Sequence, residues 1–237
     1  MFFDPMYWLI IGIGMVLSIW ASMRTKGTFH KYSQFTTRSR MTGADIAQAI
    51  MRDANISDVK IEPVKGNLTD HYDPRTRTLR LSEAVFGSTS LSAAGVAAHE
   101  VGHAIQHAQN YAPLKFRSAW VPVASVGGGI SMFVLIAAAM MGGAATVLGS
   151  KLALGGVLLF ATTTLFTMVT LPVEFDASRR ALVTLRRGSY LAPDEIAGAK
   201  KVLDAAALTY VAAFVTSALT LFYWAMRLGL LGGRRSD

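Results

Sequence analysis

The chain has 237 residues, of which 52% are hydrophobic, 16% are charged and none is cysteine, and its formal net charge is +8. Soluble domains carry about 25% charged residues, so the deficit points to a membrane protein, and the missing cysteines exclude disulfides, thiolate zinc sites and a cysteine nucleophile. The positive charge reads as basic segments held near anionic lipid on the cytoplasmic side, not as a nucleic-acid surface, because no basic stretch is interleaved with aromatics.

Residues 1–22 contain the first apolar stretch, Met6 to Ser22, which is free of charge and is followed by Arg24 and Lys26. It meets the lower limit of about 17 residues for a membrane span. The acidic residue before it and the lack of a small-residue cleavage site read as an uncleaved anchor rather than a secretory signal.

Residues 23–120 are long enough for a small folded domain. Thr42 followed by Asp45 resembles a helix start, and Ile46, Ala49 and Ile50 repeat at helical spacing. Val59 to Val64 reads as a short strand, Asp73-Pro74 as a turn after His71 and Tyr72, and Thr78 to Leu81 as a second strand. Ser90 or Ser92 can cap a helix that passes His107 and ends near Asn110 and Pro113.

Residues 121–172 read as a transmembrane hairpin. Val121 to Leu148 and Leu152 to Leu171 are free of charge, with only Lys151 between them. Their glycines (127, 128, 129, 142, 143, 155 and 156) suggest close helix packing. Residues 173–204 form a shorter polar region, and residues 205–237 hold a fourth span, from about Ala205 to Leu230, and a tail. Four spans put both polar regions on one side. These regions carry 13 and 6 Lys or Arg, so the positive-inside rule makes that side the cytoplasm, although Arg234 and Arg235 in the tail pull the other way.

The chemistry concentrates in Ala97-Ala98-His99-Glu100-Val101-Gly102-His103, an HExxH motif on a stretch that reads as helix. Residues four apart share a helix face, with Cβ atoms about 5–6 Å apart, so two imidazoles there can reach one zinc ion. Glu100, one residue on, can act as general base toward a water whose pKa zinc lowers toward about 7. Two histidines leave the site short, because catalytic zinc takes three protein ligands and a water. The position ten residues after His99, where one large class of zinc proteases has its third histidine, is Gln109. His107 lies one turn beyond His103 and cannot easily converge on the same ion, which leaves it as a supporting or surface histidine. Glu174, directly after the third span, is the better third ligand. A solvated helix N-terminus, where acidic residues are favoured by the dipole, is the alternative reading of Glu174 and Asp176.

The segments VAAHEVGHAIQH and LPVEFDASRRA resemble the YugP-like membrane zinc metallopeptidases of bacteria, and DHYDPRTRTLRLSEAVF is similar to the strand region before the active helix in that family. The resemblance covers nearly the whole chain, including the four-span layout. The family is distantly similar to the gluzincin membrane proteases, such as HtpX and the CAAX prenyl proteases, in which a Glu after a later span completes the zinc site; the corresponding position here is Glu174. Those proteases often carry an Asp four residues after that Glu to orient a zinc histidine, and here that position is Ser178. Asp176 then either takes the orienting role or is itself the ligand, and the first of these is favoured.

The expectation is therefore an α+β, mainly helical chain: a zincin-like metalloprotease domain joined to a bundle of about four transmembrane helices. His99, His103 and Glu174 are expected to hold Zn2+, and Glu100 to activate water for hydrolysis of peptide bonds in a peptide or protein substrate, membrane proteins included, at the cytoplasmic face of a bacterial inner membrane. The alternatives are a structural or regulatory zinc site, a transporter or scaffold, and hydrolysis of a non-peptide amide. Tyr190, Arg179, Arg180 and His71 are candidates for stabilising an oxyanion, and the strand around Arg77 to Leu81 could offer its edge to an extended peptide. Oligomeric state has no sequence signal.

Overall fold

A computed structural model describes residues 4–227. The helices are α1 (Pro5–Ser33), α2 (Gly43–Asp53), α3 (Glu83–Phe86), α4 (Leu91–Ala108), α5 (Ala112–Met140), α6 (Val147–Arg187) and α7 (Pro193–Arg227), and the strands are β1 (Lys60–Val64), β2 (His71–Asp73) and β3 (Thr78–Ser82). The chain divides into two compact units. Among the described residues, one holds 4–20, 116–170 and 210–227, and the other holds 21–115 and 171–209.

The first unit is built from charge-poor helix. Four helices (α1, α5, α6 and α7) are long and apolar enough to cross a membrane. A spanning segment has no water to satisfy its backbone, which is why these stretches are helical throughout. Three of the expected close-packing glycines lie at real close approaches. A Cβ on Gly127 would meet Leu159 O at 2.9 Å, one on Gly128 would meet Thr163 Oγ1 at 2.9 Å, and one on Gly156 would meet Leu135 at 2.7 Å. Gly129 and Gly155 face open space. Trp120 Nε1 donates to Thr162 O at 3.0 Å and Thr167 Oγ1 lies 2.9 Å from Ser217 Oγ, so polar side chains also tie the helices together.

The hairpin turn falls earlier than expected. Helix α5 stops at Met140 and α6 starts at Val147, so the turn precedes Lys151 rather than containing it. Gly142 and Gly143 adopt φ of +93° and +56°, a backbone region that glycine enters without steric cost. No break separates the third span from residues 173–204 either, because α6 continues through Pro172 to Arg187. The expected end of the fourth span at Leu230 and the pair Arg234 and Arg235 lie outside the described residues.

The second unit is a small mixed layer. Thr42 and Asp45 form a reciprocal capping box at the start of α2, which buries Ile46, Ala49 and Ile50. Ser90, not Ser92, caps α4 by accepting from Ala93 N at 3.2 Å. The sheet order is β1-β3-β2, with β1 parallel and β2 antiparallel to β3. Thus β3, the strand expected to offer an edge, is the central strand with both ladders filled. The edge strand beside α4 is β2, which sequence patterning left in a turn. Leu79 and Leu81 on β3 pack with Ile46, Ile50, Val101 and Leu185 in one buried core. Each such side chain contributes roughly 1.5–3 kcal/mol when fully buried, so α4 is clamped between α2, the sheet and the C-terminal stretch of α6.

Candidate metal centre

The small residues of α4 let it approach α6 closely. A Cβ on Gly102 would lie 2.5 Å from Ala177 O, so glycine between the two motif histidines is what brings α4 against the helix that carries Glu174. Across this contact His99 Nε2 lies 3.2 Å and His103 Nε2 3.5 Å from Glu174 Oε2. One ligand atom from each residue falls within 4.8 Å of the others, a cluster able to hold a metal ion. The two imidazole rings stand nearly perpendicular, with centroids 4.8 Å apart. Glu174 is buried, with 3% of its side chain exposed.

Both rings are held from behind. His99 Nδ1 lies 3.1 Å from Ser178 Oγ, so Ser178 itself contacts the histidine at the position where the related proteases carry Asp. His103 Nδ1 lies 3.0 Å from Gln106 Oε1. The Gln106 amide has no freedom to flip, because its Nε2 donates to Val173 O at 2.8 Å and to Asp176 Oδ2 at 2.9 Å. A fixed acceptor at Nδ1 makes His103 the Nδ1–H tautomer, which leaves the Nε2 lone pair facing Glu174.

Asp176 thus stands outside the His–Glu cluster. Its carboxylate also pairs with Arg179 and Arg180, and Arg180 reaches Gln109 Oε1 at 2.5 Å. Gln106 was not singled out from sequence, although it lies three residues after His103 and so on the same helix face.

Glu100 is buried beside the cluster. Burial pushes its carboxyl up to about 7; His99 opposes the rise, the nearby carboxylates of Glu174 and Asp70 add to it, and the Tyr72 backbone N–H opposes it. Asp70 accepts from Ser82 N at 2.7 Å and from Ser82 Oγ at 3.0 Å, and burial raises its pKa as well. His107 points away from the histidine pair and shares a 2.8 Å hydrogen bond with Tyr72 OH.

The four oxyanion candidates are occupied elsewhere. Tyr190 OH donates to Asp53, Arg179 and Arg180 hold Asp176, and His71 Nδ1 meets Thr69 O at 2.8 Å. Their hydrogen bonds among the described residues do not reach the cluster.

Comparison with known proteins agrees with this chemistry. A family profile described as "Putative neutral zinc metallopeptidase" matches residues 7–229. The chain is similar to "Putative membrane protease YugP" of Bacillus subtilis (strain 168), with 42% identity over 211 residues, which is 89% of this chain and 91% of that protein. No solved structure matches. Since the profile takes in α1, the HExxH helix and the Glu174 helix alike, the chain belongs to the neutral zinc metallopeptidase family that this profile describes.

Proposed function

We propose that this chain is a zinc-dependent membrane endopeptidase with a zincin-like catalytic unit, acting on peptide bonds close to the cytoplasmic membrane surface. The observation that carries the reading is the convergence of two motif histidines on one buried carboxylate, beside a buried Glu100. Two imidazole nitrogens and a carboxylate oxygen form a donor set that suits zinc and leaves a position for water. Zinc bound by His99, His103 and Glu174 would supply a Lewis acid that polarises the scissile carbonyl and brings the pKa of water toward about 7.

The remaining work falls to the chain's own groups. Ser178 and Gln106 orient the imidazoles so that the Nε2 atoms face inward. Glu100 takes a proton from the attacking water on its carboxylate and returns it to the leaving amine nitrogen. Burial favours the protonated form of Glu100 that the second half of that transfer needs. Tyr72 directs its backbone N–H to Glu100 from the edge strand β2, so an extended peptide paired along β2 would pass this carboxyl. A peptide or protein substrate, membrane proteins included, is the class that such an edge would take.

Hydrolysis of casein or a peptide library by the detergent-purified chain tests the reading. Glu100→Gln should keep its zinc and lose activity by about 10²–10⁴-fold, the usual contribution of a general base. Equal activity in wild type and Glu100→Gln overturns the mechanism. A zinc-loaded wild type that hydrolyses nothing favours a structural or regulatory metal.

A further inference from the structure

Behind the Ser178–His99 contact, α6 and α7 enclose a groove of about 510 Å3. One part of its wall is apolar, with Phe175, Leu182, Val183, Leu203 and Ala207. The other part is cationic, with Arg179, Arg186, Arg187 and Lys200 against a single carboxylate, Asp204. Lys200 is paired with Asp204 at 2.6 Å and Arg179 with Asp176. Arg186 and Arg187 are exposed and, among the described residues, have no acidic partner.

Apolar and charged residues alternate along α6, with Arg179 one turn beyond Phe175 and paired with Asp176, but Arg186 and Arg187, which have no acidic partner among the described residues, lie at the end farther from the span. Phe175 follows the charge-free stretch of α6 by four residues and Ala207 lies within the apolar stretch of α7, so the apolar end of the groove continues the two spans. Arg186 lies eleven residues beyond Phe175, about 16 Å along the helix at 1.5 Å per residue. Side chains on a helix lean toward its N-terminus, and on α6 that direction is the span, so both arginines lean back toward the apolar end. An apolar entrance at bilayer level leading to uncompensated positive charge matches one occupant: a molecule with acyl chains at one end and an anionic group at the other.

We propose that this groove binds an anionic phospholipid drawn from the bilayer. Its acyl chains lie along Phe175, Leu203 and Ala207, and its phosphate group is held by Lys200, Arg186 and Arg187. Basic pockets between transmembrane helices hold anionic headgroups by this combination of charge and apolar contact. Because Ser178 belongs to the groove wall and also touches His99, the bound lipid would rest directly behind one of the motif histidines.

Native mass spectrometry of the full detergent-purified chain, titrated with phosphatidylglycerol and separately with phosphatidylcholine, tests the proposal. Phosphatidylglycerol should bind more tightly. Each of Arg186→Gln and Arg187→Gln should weaken it by about fivefold, and the pair by roughly 25-fold, while phosphatidylcholine, whose choline offsets the charge of its phosphate, should lose less. Lys65→Gln with Arg75→Gln makes the same change in net charge on two exposed turns outside the groove and should leave phosphatidylglycerol binding intact. An unchanged elution profile and Tm show that the arginine variants fold. A photoreactive anionic lipid should label residues 175–187 or 200–207. Equal affinity for the two lipids, an equal loss in the Lys65/Arg75 control, labelling elsewhere, or displacement of the lipid by inorganic phosphate or an oligoglutamate peptide at lower concentration than the lipid itself overturns it. None of these readouts depends on metal or hydrolysis, so the outcome is separate from that of the peptidase reading.

Discussion

A glutamine amide has two chemically distinct ends, and at Gln106 the neighbours assign both. Two acceptors, Val173 O and Asp176 Oδ2, hold the NH2 end, so the carbonyl end must face His103 Nδ1. The leucine variant Gln106→Leu keeps the volume and removes this acceptor. Zinc affinity measured by competition with a chelator should fall by about 10–100-fold, the usual cost of losing such a supporting contact.

Glu100 makes a separate prediction for the metal-free protein. Its carboxyl is raised from the ordinary 4.5 to about 7 in the folded state, chiefly by burial. Between those values the folded chain binds more protons than the unfolded one. Stability therefore falls as pH rises through that window and is flat above it, by up to roughly 3 kcal/mol. Chelator-treated wild type should show a higher Tm at about pH 5 than at about pH 7.5, and Glu100→Gln should lose that difference. The same slope in both proteins would assign the effect to other groups.

At this scale the motif itself was legible. HExxH puts two histidines on one helix face by spacing alone, and Glu174, matched from its place after a span, lies with them in the cluster. Ser178 and Gln106 were not legible as partners, since a hydroxyl or an amide acquires meaning only once α4 and α6 touch.

Among the elements, the α4–α6 contact carries the site, and Gly102 allows it. Gly102→Ala would place a methyl group 2.5 Å from Ala177 O. Backbone cannot yield as a flexible side chain can, so the helices must part. The expected cost is about 1–3 kcal/mol of stability together with weaker zinc binding, read by Tm and metal titration. A variant with wild-type Tm and zinc affinity would show that the approach is not tight.

Local signals served well where they are local. The Thr42–Asp45 box and the Ser90 cap start α2 and α4 at the residues their chemistry favours. Non-local choices were hidden. Strand β2 is three residues long and includes Asp73, which reads as turn, yet pairing with β3 makes it a strand and leaves it at the sheet edge. The change from apolar to charged residues after position 172 marks no structural break, because α6 runs through Pro172 to Arg187. Neighbouring helices and local adjustment can absorb the missing donor in a membrane segment.

For the whole molecule, hydropathy gives four spans directly, because a charge-free run of this length has few other uses. The side on which residues 21–115 lie follows from charge bias alone, and the absence of cysteine makes a clean test available. Lys65→Cys, on an exposed turn, should react with a membrane-impermeant maleimide only after the cells are broken. Lys151→Cys, four residues after the start of α6, should react in intact cells. The reverse pattern would invert the orientation and move the proposed hydrolysis to the outer surface.

Metal stoichiometry in the purified full-length chain, measured by elemental mass spectrometry, bears most directly on the cluster formed by His99, His103 and Glu174. Wild type, Glu100→Gln and Asp176→Asn should each retain close to one zinc per chain, while His99→Ala and Glu174→Ala should lose it. Full zinc in Glu174→Ala, or none in wild type prepared without chelator, would contradict the proposed centre.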